Sequence, residues 1–357
     1  MRVPVTLAWI IMVLFVFTAG LLRRFHDGIP ASPFLHPLAG NLLFAGIFVL
    51  LLVASRERSA GAVPGRGVRM GSLTPLLLML LIEKWISLGF YEPLFGWISS
   101  EGIPEILSDA RFAAFAGAAL LLTCLLLARL STPTRRKTWR RVRPQRLPLA
   151  LLQVLTVAIG TYLVLGLLAA AMGYPLTLRW PTGGTLLYWV IAGQALVALG
   201  EEVYYRGLVY CEIERLAPRL GLRKSTAKRW IAVGLTSMLF AMEHMDMTQP
   251  WEVVARQTIF IASLGALFAL LVAVSANLYL AAGVHAWINW LLLGAAPHFA
   301  DASGAPALPA GTYIGVTLIL AFIVAFAFRR HRSVHPAKTP RAPKQRRQTT
   351  RTLDRVS

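Results

Sequence analysis

The feature that most constrains this chain is the recurrence of apolar stretches long enough to cross a lipid bilayer. A hydrocarbon core of ~30 Å takes about 20 helical residues. Ten stretches of about this length occur, at 5–22, 37–54, 71–90, 112–130, 148–172, 185–205, 230–248, 254–274, 277–296 and 311–328. Only 15% of the residues are charged and 56% are hydrophobic, which is outside the range of soluble proteins. The sequence therefore predicts an all-α, polytopic transmembrane bundle of about ten spans.

The charges between the spans predict the orientation of the chain in the membrane. Lys and Arg concentrate in cytoplasmic loops, and basic clusters follow the second, fourth and sixth spans and fill the tail after the tenth. The other loops are acidic or nearly neutral, apart from Arg23 and Arg24. Both termini are therefore expected in the cytoplasm, with the first span kept as an anchor rather than cleaved as a signal peptide. The high content of Ala, Leu and Arg suggests a bacterial inner membrane.

The net charge of +20 is spread over the inner loops and the tail. We interpret it as a topology signal and as attraction to anionic lipid, and we expect no nucleic-acid partner. The tail, 329–357, is rich in Pro, Thr and Arg without apolar periodicity. Such a composition is typical of a disordered segment.

Polar residues inside spans are the most informative, because each costs about 2.5–3.5 kcal/mol at mid-membrane on insertion scales. The sixth span ends in ALGEEVYYRG, residues 198–207. On an α-helix, Glu202 and Arg206 share a face and are expected to form an ion pair, whereas Glu201 is turned ~100° away and shares a face with Tyr205. One carboxylate would then be neutralised while the other stays free. Alternatively, the whole group is solvated at the cytoplasmic end of the span.

Two further spans carry histidines, and these favour a site over a solvated helix end. The seventh contains LFAMEHMDM, with His244 four residues after Phe240, and the ninth contains GVHAWINW, with His285 and Asn289 on one helical face. Only these two histidines are expected well inside spans. At 1.5 Å per residue, His244 lies ~21 Å from the cytoplasmic start of its span and His285 only ~12 Å. A shared site therefore requires a tilted or re-entrant segment, or a shifted span boundary.

Such a set of side chains suits peptide hydrolysis without a covalent intermediate. A carboxylate and an imidazole together hold and deprotonate a water, and a second imidazole and an amide are donors for the developing oxyanion. The chain has no GxSxG elbow, no HExxH helix and no P-loop, which leaves the serine hydrolases, the soluble-type zinc proteases and the nucleotide hydrolases without their motifs.

These residues also carry a resemblance to a known family. EEVYYR, FAMEH and HAWIN match, in order, the EExxxR, FxxxH and HxxxN patterns of the CPBP family of intramembrane proteases, the CAAX-protease and bacteriocin-processing group that includes the Ras-converting CAAX endopeptidase. The match covers about residues 185–296. The resemblance implies a helical bundle with a conical cavity that admits a substrate C-terminus from the membrane or the cytosol.

Carried over by position, the resemblance implies a role for each matching residue. Glu201 would activate the water with help from His244, and His285 and Asn289 would form the oxyanion site. Glu202 and Arg206 would support the site, and Phe240, with Tyr205, would line the cavity. Glu201, His244 and His285 would also suffice as the three protein ligands of a catalytic zinc; we favour metal-free chemistry over zinc.

The resemblance also divides the chain. We expect an N-terminal four-span accessory region at 1–147, a six-span region at 148–328 that contains the catalytic core, and the tail. The substrate would be a lipid-modified or membrane-embedded protein or peptide, cleaved near its C-terminus. Two other functions remain open at this point: a transporter or channel that uses the intramembrane Glu and His residues as a proton or ion relay, and a CPBP-like scaffold or immunity protein without turnover.

Overall fold

The protein is described here by a computed structural model that covers residues 2–3, 6–8, 10–12, 68–69, 72–86, 105–174, 177–181, 185–245, 249–300 and 307–334. Most of these residues are helical. The helices are α1 (Thr74–Ile86), α2 (Glu105–Leu127), α3 (Thr132–Arg141), α4 (Leu147–Ala171), α5 (Thr185–Glu201), α6 (Tyr210–Leu216), α7 (Ser225–Glu243), α8 (Trp251–Ser275), α9 (Leu278–Leu292) and α10 (Ala310–Val334). A π-helical stretch, Glu202–Val209, joins α5 to α6 without a break and is called the π segment below.

Four of the described helices are long and apolar enough to cross a membrane: α2, α4, α8 and α10. The helices α1 and α9 are apolar but shorter, with 13 and 15 residues. The first two predicted spans, 5–22 and 37–54, lie almost entirely outside the described residues. The count of ten spans and the cytoplasmic termini therefore stay predictions, whereas the helical, membrane-type architecture is confirmed.

The predicted bounds of several spans need correction. The helix α7 runs from Ser225 to Glu243 rather than over 230–248, because its polar and largely exposed first residues continue the helix on the N-terminal side. His244 is therefore the residue that ends this helix, and the prediction that it lies well inside a span was wrong. The helix α10 continues to Val334, so the first residues of the predicted tail are helical. Residues 335–357 lie outside the described part.

The centre of the fold is α5, which packs against α2 on one side and α9 on another. The approach of α2 is close because small residues face each other there: a Cβ at Gly117 would lie 2.5 Å from the carbonyl carbon of Leu196, and one at Gly200 would lie 3.2 Å from the carbonyl oxygen of Gly117. Small residues are a general means of bringing membrane helices together. The α2–α5 contact crosses the predicted region boundary at 147.

The short basic helix α3 packs against the π segment. Thr138 donates its hydroxyl to the carbonyl oxygen of Gly207 at 2.7 Å, and Arg141 donates to that of Arg206 at 3.1 Å. Thr134 donates to the buried Glu212 just beyond the π segment. These contacts hold the irregular part of the α5–α6 helix from the side.

Two short strand pairs connect the segments between helices. Strands β1 (Arg2–Val3) and β2 (Val68–Arg69) pair antiparallel. Strands β3 (Thr177–Arg179) and β4 (His298–Ala300) also pair antiparallel and join the segment before α5 to the segment after α9. Because Glu201 lies on α5 and His285 on α9, this second pair connects the two helices that supply most of the candidate site.

Candidate active site

Glu201 lies between the two histidines that the sequence singled out. Its Oε1 is 3.8 Å from Nε2 of His244, and its Oε2 is 3.6 Å from Nε2 of His285. Helices α5, α7 and α9 thus bring their carboxylate and imidazole groups to one place, as a shared site requires. Both separations are longer than a direct hydrogen bond.

The second ring nitrogen of each histidine has a partner of its own. Nδ1 of His244 is 2.7 Å from the carbonyl oxygen of Phe240, on the preceding helical turn. Nδ1 of His285 is 3.1 Å from Oε1 of Glu202. Since a carbonyl only accepts, Nδ1 of His244 carries the hydrogen of this bond, and Nε2, which faces Glu201, is the acceptor atom of the neutral form of the ring.

The expected ion pair between Glu202 and Arg206 is present and buried. Oε1 of Glu202 accepts from Arg206 at 2.9 Å, and the side chains of the two residues are 0% and 1% exposed. Arg206 also donates to the carbonyl oxygen of Gly265 on α8 at 3.1 Å. Glu202 therefore connects Arg206 with His285, and the pair links α5, α8 and α9.

The π segment changes the geometry that ideal α-helical spacing predicts for this region. Its hydrogen bonds run from i to i+5, and such segments occur frequently at functional sites. Glu201 and Tyr205 were predicted to share a helical face, but their side chains contact different residues. The Tyr205 hydroxyl donates to Glu243, the last residue of α7, whereas Glu201 faces the histidines. The Tyr205–Glu243 hydrogen bond fixes the end of α7 next to His244.

Aromatic rings enclose the polar groups. Phe268 stacks on the His285 ring, with centroids 4.7 Å apart. Phe240 contacts both histidines and lies 4.6 Å below the Arg206 guanidinium. Phe240 and Tyr205 are each only 3% exposed, so their predicted role in lining a substrate cavity stays a prediction.

Asn289 lies one turn beyond His285 on α9, and its partner is a residue that sequence reasoning missed. Its Nδ2 donates to Oε1 of Gln194 at 3.0 Å. Gln194 lies on α5, seven residues before Glu201 and hence on the same helical face. Gln194 could have been found from its spacing to Glu201 and from the cost of placing a carboxamide in an apolar span. Sequence reasoning also missed Glu243, for which the only indication was its position next to His244.

A catalytic zinc needs three protein ligands and one open position. Within the described residues, no group of three or more His, Cys, Asp or Glu side chains is arranged to hold a metal ion. The choice between metal-free chemistry and a zinc held by Glu201, His244 and His285 stays a prediction.

Comparison with protein families gives one match. Residues 183–291 match the family described as Type II CAAX prenyl endopeptidase Rce1-like. Comparison with curated proteins and with solved structures gave no significant match. The matched segment begins just before α5 and ends within α9, so it contains Glu201, His244, His285 and Asn289.

The matched segment is the part of the chain that contains the candidate site. The matched family is a protease family, which supports a peptide hydrolase, and the four long apolar helices support an integral membrane protein. Residues 183–291, with their three motifs on adjacent helices, support a CAAX-type protease family assignment for this part of the chain.

Proposed function

We propose that the protein is an intramembrane endopeptidase that hydrolyses a peptide bond near the C-terminus of a lipid-modified or membrane-embedded protein or peptide. The observation that carries the proposal is the position of Glu201 between Nε2 of His244 and Nε2 of His285, at 3.8 and 3.6 Å. A packing role does not require three helices to direct a carboxylate and two imidazoles at one point. A carboxylate and imidazoles at one point are the groups that bind and deprotonate a water.

The first step assigned to the site is proton removal from water. A water bound between Glu201 and Nε2 of His244 loses its proton to the Glu201 carboxylate as its oxygen attacks the peptide carbonyl carbon. The hydrogen bond from Nδ1 of His244 to Phe240 keeps Nε2 available as an acceptor that orients this water. Glu201 then passes the proton to the leaving amine, so that the peptide bond breaks and the carboxylate is regenerated.

The second task is stabilisation of the oxyanion. His285 would donate to the oxyanion from Nε2, while the Glu202 carboxylate at Nδ1 holds the ring in place. Asn289 would donate the N–H that its bond to Gln194 leaves over. Two such donors are a usual means of stabilising a developing oxyanion.

We propose metal-free chemistry for this reaction, and the steps above use only side chains of the chain itself. Chelation tests this choice directly. We further propose the ten-span topology with both termini in the cytoplasm of a bacterial inner membrane, where the basic inner loops contact anionic lipid.

The deciding experiment measures cleavage of quenched fluorescent peptides, with a lipid-modified Cys near the C-terminus, by the protein reconstituted in liposomes. Replacing Glu201 by Gln removes the base, and we expect the rate to fall about 10²- to 10⁴-fold. The matched control is Glu214→Gln, since Glu214 lies on α6 and pairs with Lys137 rather than with the site.

Three outcomes bear on the proposal. Loss of cleavage in Glu201→Gln but not in Glu214→Gln supports it. Equal cleavage by wild type and Glu201→Gln rejects Glu201 as the base. Inhibition of wild type by a chelator, reversed by added Zn²⁺, rejects the metal-free reaction while leaving the protease intact.

A further inference from the structure

A polar cleft lies away from the candidate active site, where four helices meet. It has a volume of about 250 Å³ and is lined by Gln153 of α4, the last residues of α8, Asn277 at the start of α9, and Phe328 and Arg329 of α10. In the proposed topology this is the cytoplasmic end of the spans, at the level of the lipid headgroups. Polar pockets with basic side chains at this level are a recurrent form of headgroup site.

Two groups in the cleft lack a partner within the described part of the chain. Gln153 is only 2% exposed, and its carboxamide oxygen accepts no hydrogen bond there. A buried acceptor without a donor is costly. The exposed Arg329 guanidinium has no ion pair among the described residues. The cleft thus offers one cation and one unsatisfied acceptor.

The end of α8 adds further acceptors. The last turn of a helix leaves carbonyl oxygens without intrahelical partners, and it is the negative end of the helix dipole. Ala273, Val274 and Ser275 of this turn line the cleft. A ligand with a phosphate for Arg329 and a hydrogen-bond-donating cation for the acceptors would complement both halves.

An apolar groove continues from this cleft along α8 and α10. It is lined by Leu267 of α8 and by α10 residues that include Phe322 and Phe326. Leu267 lies seven residues before Val274, and Phe322 lies seven before Arg329, so each pair shares a helical face about 10 Å apart along the axis. The groove and the cleft are therefore two parts of one surface, apolar within the membrane and polar at its edge.

We propose that this surface binds one phosphatidylethanolamine molecule, with its phosphate on Arg329, its ammonium group on Gln153 and the end of α8, and its acyl chains in the α8–α10 groove. The headgroup is specified by charge: it carries one anion and one donor cation, as the cleft requires. Phosphatidylcholine has the same phosphate but no N–H to donate, which makes it the matched control ligand. The site is independent of the proposed protease activity.

The test uses the full-length protein, purified in mild detergent and equilibrated with equal amounts of phosphatidylethanolamine and phosphatidylcholine of identical acyl chains. Lipid that stays bound is measured by native mass spectrometry. We expect phosphatidylethanolamine to be retained over phosphatidylcholine at least about tenfold, the value of one charge-assisted hydrogen bond. Phosphatidylglycerol, added in a third arm, tests whether net negative charge is recognised instead.

Two variants separate the contributions of the headgroup contacts. Gln153→Leu, nearly equal in volume, should abolish the preference between the two lipids, and Arg329→Gln should lower retention of both. Arg143→Gln, an exposed arginine outside the cleft, should change neither. Equal retention of both lipids by wild type, a preference for phosphatidylglycerol, or wild-type behaviour of both cleft variants would each overturn the proposal.

Discussion

Two regions differ in where they place polar and apolar side chains. The first is the π segment together with the start of α6, and the second is the helix α4. Every residue from 202 to 213 is buried, including two carboxylates and an arginine. On α4 the large side chains point outward: Leu151, Leu155, Leu163 and Leu167 are 55–73% exposed. The bilayer accepts the second arrangement without cost, because lipid chains are as apolar as leucine.

The difference shows where buried polar groups lower the stability of this protein. In the buried pair, Oε2 of Glu202 and Nε of Arg206 have no hydrogen-bond partner within the described residues. A buried ion pair with incomplete hydrogen bonding contributes little net stability compared with an apolar replacement. Its presence in the one helix that also carries Glu201 therefore favours a functional reason for it.

The largest expected effect comes from breaking that pair on one side. Arg206→Met leaves the Glu202 charge buried without its partner, and we expect the free energy of unfolding in detergent to fall by about 3–5 kcal/mol. Arg256→Met on the exposed surface of α8 is the control, with an expected change within about 0.5 kcal/mol.

A double variant sharpens the same comparison. Glu202→Leu combined with Arg206→Met removes both charges, and its unfolding free energy should be higher than that of Arg206→Met alone. If the double variant is the less stable of the two, the pair is a stabilising element and the contrast with the apolar spans is mistaken.

A smaller effect on stability is expected at the contact between α2 and α5. Gly117→Ala places a methyl group 2.5 Å from the backbone of α5, and such overpacking costs about 1–3 kcal/mol. Gly234→Ala, where a Cβ meets nothing within 4 Å, should instead stabilise α7 by about 0.5–1 kcal/mol. Thermal unfolding of both variants checks the opposite signs. Unchanged or increased stability of Gly117→Ala would show that α2 does not pack on α5 as described.

The smallest effect concerns the hydrogen bond that orients Asn289, and it rests on the proposed function. Gln194→Leu removes the acceptor, and we expect kcat to fall about tenfold with little change in KM. Gln194→Glu keeps an acceptor oxygen and should restore most of the rate. Equal losses in the two variants would reduce Gln194 to a packing residue.

Much of the local structure followed from periodicity. The spans predicted at 148–172 and 254–274 correspond to α4 and α8 within a few residues, because the length of an apolar run sets the length of a membrane helix. The Glu202–Arg206 pair also followed, since residues four apart lie on one helical face. Helix propensity did not predict the π segment, because its hydrogen bonds between residues i and i+5 depend on the helices packed around it.

By itself, then, the sequence determined that this is a membrane-type helical protein and which side chains are costly enough to need a purpose. Only the tertiary structure decided that Glu201 meets His244 at the end of α7, that Gln194 holds Asn289, and that α2 and α3 pack against the helix of the site. The physical reason is that hydropathy and spacing act along one helix. The rotation, tilt and close approach of helices depend on small residues and on polar partners that are distant in the chain. The apolar pattern of a span does not specify these partners.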